Sequence, residues 1–159
     1  MTAPRIFGRR SFSVGLGAVM LLAACSTAPP ASKTVLTGEK EVPPVETKAS
    51  GLTDISVRTG KCQSAASSSD CQMLVGTVQT NGLNATAAHV HQGAAGQNGP
   101  VIVTLEKTSG DVWTVPQGTA LTAAQYDAYQ AGQLYVNVHT DANKGGEIRA
   151  QIRPVGLPK

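Results

Sequence analysis

Histidine is among the scarcest reactive residues in this chain: 159 residues carry three of them, beside three cysteines and a single tryptophan. Aromatic residues make up only 4%, and both phenylalanines, Phe7 and Phe12, stand at the very start. Charged residues amount to 14%. The formal net charge of +3 equals the contribution of Arg5, Arg9 and Arg10, so the rest of the chain is balanced. Without a basic patch interleaved with aromatics, no nucleic-acid partner is expected, whatever the basic pI suggests. No Gly-rich loop carries the lysine of a phosphate cradle, no nucleotide fingerprint is present, and no Ser–His–Asp order suggests an acyl-transfer triad.

What is present begins with an export signal. Arg5, Arg9 and Arg10 form a basic region ahead of an apolar run, Val14 to Ala24. That run is too short to span a bilayer and reads as a secretory signal. "LAAC", ending at Cys25, resembles the lipobox of bacterial lipoproteins. The resemblance implies cleavage before Cys25 and acylation of its thiol and amino group, which anchors the chain to a membrane. "RRSF" resembles a twin-arginine export signal, and an ordinary basic region reads equally well. Ser26 after the cysteine implies the outer membrane of a Gram-negative envelope, facing periplasm or surface. The expected organisation is a signal peptide over 1–24, a lipidated Cys25 with a Pro/Ser/Ala tether to 32, one domain over 33–154, and a tail over 155–159.

Cys62 and Cys71 remain after Cys25 is assigned. An even pair in an oxidising compartment reads as a disulfide closing a short Ser-rich loop; a two-cysteine metal site is the competing view.

The domain reads as all-β, a Greek-key sandwich or barrel. "KTVLTG", "LTDISV", "MLVGTVQT", "ATAAHVH", "PVIVTLEK", "DVWTV", "LYVNVHT" and "GEIRAQIR" are short runs rich in Val, Ile, Leu and Thr, punctuated by Gly, Pro and Asn. One helix is predicted near 122–131, with Thr122 as N-cap, Gln125 completing a capping box and Gly132 as the stop. Tyr126 and Tyr129 share a face of it, which points to core filling.

Strand phase gives the histidines meaning. In "AAHVH", His89 and His91 share one face; in "LYVNVH", His139 lies opposite the apolar face of Leu134, Val136 and Val138. Two imidazoles two residues apart can hold one metal ion, and a third from an adjacent strand would complete a three-nitrogen set. Such a set suits copper, zinc, iron or nickel. The alternative is a solvated strand face with no metal. Glu39 and Glu41 in "TGEKEVPP" could do acid–base work, but a solvated strand end is the plainer reading. Trp113 reads as core or rim.

The segments "LTGEKEVPPVETKASG", "GTVQTNGLNATAAHVHQGAAGQNGPVIVTL" and "LTAAQYDAYQAGQLYVNVHTDANKGGEIRAQI" resemble the CHRD domain, found in chordins and in exported bacterial proteins. The resemblance covers nearly all of 34–152 and implies an all-β sandwich without fixing a function. The Cys62–Cys71 segment is not part of that pattern. More distantly, "AHVHQG" and "VNVHTDANKGGEIRAQI" are similar to copper-binding strands of Cu/Zn superoxide dismutases. That likeness implies His89, His91 and His139 as copper ligands, and Arg149 as a guide for a small anionic substrate. A surface pair of Arg149 with Glu147 or Asp141 is the alternative. The bridging fourth histidine and the zinc loop have no counterpart. The expectation is therefore an envelope-anchored copper protein, with superoxide dismutase-like activity or copper handling as its role. Zinc is the alternative metal. A metal-free protein- or glycan-binding module is the alternative function.

Overall fold

The computed structural model describes, besides Met1, residues 33–64 and 67–154, with the side chains of 63, 64, 67 and 68 excepted. The expected signal, Cys25, the tether and the tail beyond Pro154 lie outside the described residues.

The chain is all-β with one short helix, as expected. Nine strands form one antiparallel, nearly closed sheet, and two more form a separate ribbon. The strands are β1 Thr34–Thr37, β2 Ser50–Thr53, β3 Ser56–Ser64, β4 Ser67–Val75, β5 Thr77–Asn81, β6 Ala87–Gln92, β7 Val101–Thr104, β8 Glu106–Ser109, β9 Val112–Thr114, β10 Leu134–His139 and β11 Ile148–Gln151. The sheet runs β7-β6-β10-β11-β1-β2-β5-β9-β8. This order makes β6 and β10 neighbours, although more than forty residues separate them, and so settles whether the two histidine strands meet.

Inward-facing residues build one core, among them Leu36, Val78, Val90, Leu134, Val136, Val138, Ile148 and Ile152. They sit at alternate positions, so each strand gives one face to this core. The helix α1, Ala123–Gln130, starts at a full capping box: Thr122 accepts from the Gln125 amide, and the Gln125 side chain accepts from the Thr122 amide. Tyr129 is buried in the core cluster and Tyr126 packs against it.

Three runs that read as single strands are broken in the structure. "LTDISV" parts at Asp54–Ile55, where Asp54 turns aside to accept from the amide and hydroxyl of Thr77. "MLVGTVQT" parts at Gly76, whose φ of 127° is closed to other residues. "PVIVTLEK" parts at Leu105, which turns into the core. Each break lets the chain change partner, from ribbon to sheet or from one sheet edge to the other.

The Ser-rich segment is not a simple loop. β3 and β4 pair over their whole length as a two-stranded ribbon, and Cys62 and Cys71 form a disulfide across it. Leu74 and Ile55 anchor the ribbon's base in the core.

Candidate metal centre

The register places the polar residues of three strands in rows. Across β6, β10 and β11, His89 stands opposite Asn137 and Asn137 opposite Arg149; His91 stands opposite Tyr135 and Tyr135 opposite Gln151. His139 closes the row at the end of β10. All are on the face turned away from the apolar core, as the alternation predicts.

That face is not the open, solvated surface that the metal-free alternative supposes. His91 is 8% exposed, Asn137 2% and Tyr135 and Arg149 1% each. The covering is the 93–100 loop, which folds back over the strands. Arg149 donates to Asn98 Oδ1 at 3.1 Å, to the Gln97 carbonyl at 2.8 Å and to the Ala94 carbonyl at 3.3 Å. Gln151 donates to the Gly93 carbonyl, and the Tyr135 hydroxyl accepts from the Gly99 amide. At Gly99 a Cβ would stand 1.7 Å from the Gln92 carbonyl oxygen, so only glycine permits this closure. The surface pairing of Arg149 with Glu147 or Asp141 is therefore corrected: a guanidinium enclosed by loop carbonyls has no free donor at the surface. Glu147 is instead held by Thr47, Thr140 and Asn143. Burial alone would raise its pKa, but those three hydrogen bonds outweigh it and keep the carboxyl below its ordinary value.

The three imidazoles converge. Their ligand nitrogens lie within 4.8 Å of one another. An ion about 2.0–2.1 Å from each of three nitrogens places them about 3.6 Å apart in a trigonal set. A closure of about 1 Å at the widest pair thus brings the set into range, whereas unrelated surface histidines would need a rearrangement of the sheet.

Hydrogen bonds fix which nitrogens are free. His91 Nδ1 lies 2.9 Å from the Gly99 carbonyl, and His139 Nδ1 lies 3.0 Å from the Lys144 carbonyl. A carbonyl can only accept, so in the neutral ring each Nδ1 carries the proton and each Nε2 carries the lone pair. The Nε2 of His91 is buried and has no hydrogen-bond partner among the described residues. His139 Nε2 accepts from His89 Nδ1 at 2.9 Å. This leaves the proton of His89 on Nδ1 and its lone pair on Nε2. Desolvation lowers the pKa of His89, and repulsion from His139 and His91 lowers it further. Desolvation also lowers that of His91, more than its bond to Gly99 raises it. Neutral imidazoles are the form in which histidine binds a metal.

Outer partners complete the arrangement. His91 stacks on Tyr135 with ring centroids 4.8 Å apart and planes at 11°, and the Arg149 guanidinium carbon lies 3.4 Å from the centroid of the Tyr135 ring. Backbone carbonyls and stacked rings that hold a ligand imidazole are what metal sites use to fix tautomer and orientation.

Glu41 is the residue the sequence misplaced. It follows a 3₁₀ turn, Gly38–Lys40, and is buried beside Asn137, while Glu39 stays exposed. Asn137 donates to Glu41 Oε2 at 3.2 Å, and Glu41 Oε1 is unpartnered among the described residues. Burial raises its pKa to about 7, against the pull of Arg149 and Asn137. Tyr135 and Asn137 share the strand phase of His139 in β10, and nothing in a single sequence marks Glu41 as joining them.

The fold and the convergent imidazoles define a β-protein with a candidate three-histidine metal centre. The chain belongs to the CHRD-domain family, whose family model matches residues 32–152. No curated protein and no solved structure matches the chain significantly.

Proposed function

We propose that this CHRD-domain protein holds one copper ion through His89, His91 and His139, as a lipid-anchored protein of the bacterial envelope. The observation that carries the reading is the buried Nε2 of His91, unpartnered among the described residues, in a set of three imidazoles whose ligand atoms lie within 4.8 Å of one another. An unpaired buried polar atom costs about 1–3 kcal/mol, and a metal bond removes that cost. The likeness of both histidine strands to those of Cu/Zn superoxide dismutases favours copper over zinc. A bound copper ion supplies one-electron redox chemistry. The protein's own part is to keep the imidazoles neutral, fix them through Gly99, Lys144 and Tyr135, and limit solvent with the 93–100 loop. Arg149 contributes its charge through the field it keeps beside the site, since its donors are engaged with the loop. A small anion such as superoxide suits that field. Copper handling without turnover uses the same geometry.

The test is to load the chain with Cu(II), measure stoichiometry, and record electron paramagnetic resonance. About one copper per chain with nitrogen hyperfine structure, lost in His91→Ala, supports the reading. Binding that survives replacement of all three histidines by alanine overturns it and leaves a metal-free binding module. A superoxide assay on the loaded protein separates enzyme from carrier. Mass spectrometry of the chain from membranes, with and without Cys25→Ser, tests the anchor.

A further inference from the structure

A second cluster of soft ligands lies on the β3–β4 ribbon, away from the histidines. The register puts Arg58, Gly60 and Cys62 of β3 on the same ribbon face as Ser69, Cys71 and Met73 of β4. Leu74 faces the core from the opposite face, where the exposed Lys61–Asp70 pair also sits. Three sulfur atoms meet on the first face. The Met73 Sδ lies 3.2 Å from Cys71 Sγ and 3.8 Å from Cys62 Sγ. The space for this is made by Gly60, where a Cβ would come within 2.7 Å of Met73 Cγ. All three sulfur-bearing residues are only half-buried, so an ion can reach them.

We propose that this cluster is a redox-gated site for Cu(I), closed in the disulfide form and opened by a dithiol reductant. Opening breaks the Cys62–Cys71 bond; two electrons and two protons from the dithiol yield two thiols, and the reductant leaves as a disulfide. Cu(I) then binds with release of the two thiol protons, giving two thiolates and one thioether around the ion. Metal–sulfur distances near 2.3 Å place three trigonal ligands about 4 Å apart. The two Met73 separations are already close to that, and freed thiols move apart toward the same spacing. Thiolate and thioether donors select Cu(I) over harder ions. The site is independent of the histidine centre: its ligands, its face and its copper oxidation state all differ.

The experiment uses the full chain with Cys25→Ser and all three histidines replaced by alanine, so that neither the remaining thiol nor the imidazoles contribute. Protein in the disulfide form and protein reduced with a phosphine are titrated anaerobically with Cu(I) against a chromophoric chelator. The expected result is about one Cu(I) per reduced chain, with affinity about 100-fold or more above that of the oxidised chain. X-ray absorption should show sulfur ligands alone. Met73→Leu, with unchanged circular dichroism, should weaken binding about 10-fold, and Gly60→Ala should weaken it by displacing Met73. Equal competition by the reduced and oxidised chains overturns the proposal. So does a reduced chain whose affinity is unaffected by both Met73→Leu and Gly60→Ala, because binding by the two cysteines alone needs no built cluster.

Discussion

At Glu41 a carboxyl group is enclosed with one oxygen unpartnered, and this gives the stability of the molecule a definite pH dependence. Its folded pKa is about 7 against an ordinary value of 4.5. Between those values the folded chain keeps a proton that the unfolded chain has released. Stability therefore falls as pH rises through this window, by no more than about 3.5 kcal/mol. Glu41→Gln should flatten that part of the pH profile of urea unfolding, matching the parent near about pH 4 and exceeding it near about pH 8. Tyr135→Phe removes the hydroxyl that accepts from the Gly99 amide but keeps the ring under His91. It should cost about 1 kcal/mol in stability. Copper affinity, read by chelator competition, should fall about 10-fold. A single residue's phase could be read from the sequence, as for His89, His91 and His139. Its depth could not, because burial of the outward face depends on a loop folding back from elsewhere.

Among the elements, α1 was the most legible, since its capping box is local chemistry within four residues. Thr122→Ala should lower stability by about 1 kcal/mol, measured by denaturant unfolding. The strand runs were legible as well, but their breaks were not. Asp54 and Leu105 leave their strands because of partners distant in sequence, the first for Thr77 and the second for the core. The 93–100 segment looks like an ordinary glycine-rich turn, yet it is a cover held by Arg149, Gln151 and Tyr135. Arg149→Met should leave three loop acceptors without their donor. The expected loss is about 3 kcal/mol, roughly 1 kcal/mol for each hydrogen bond lost. Amide exchange over 93–99 should accelerate more than exchange in β1 or β2, which a hydrogen-exchange measurement resolves.

For the whole molecule, the sheet order is the fact that sequence could not supply. β6 and β10 are joined only because the chain crosses the sheet between them, and the metal-centre reading depends on that adjacency. A metal that binds the folded chain and not the unfolded one stabilises by mass action, about 2.7 kcal/mol at a hundredfold excess over Kd. Thermal unfolding with and without Cu(II) should show a rise in Tm for the parent and none for the chain lacking His89, His91 and His139.

The ribbon carries a consequence for manipulating this protein. β2 pairs directly with β5, Thr53 opposite Val78, so the nine-stranded sheet is continuous where the ribbon leaves it. Its base is held by Ile55 and Leu74 in the core and by backbone pairing of 72–74 with 119–121; among the described residues, the strand pairing of the outer half is with itself. It is a natural splice point: a dye, an affinity tag or a second module inserted there would extend the protein without entering the barrel or touching the imidazoles.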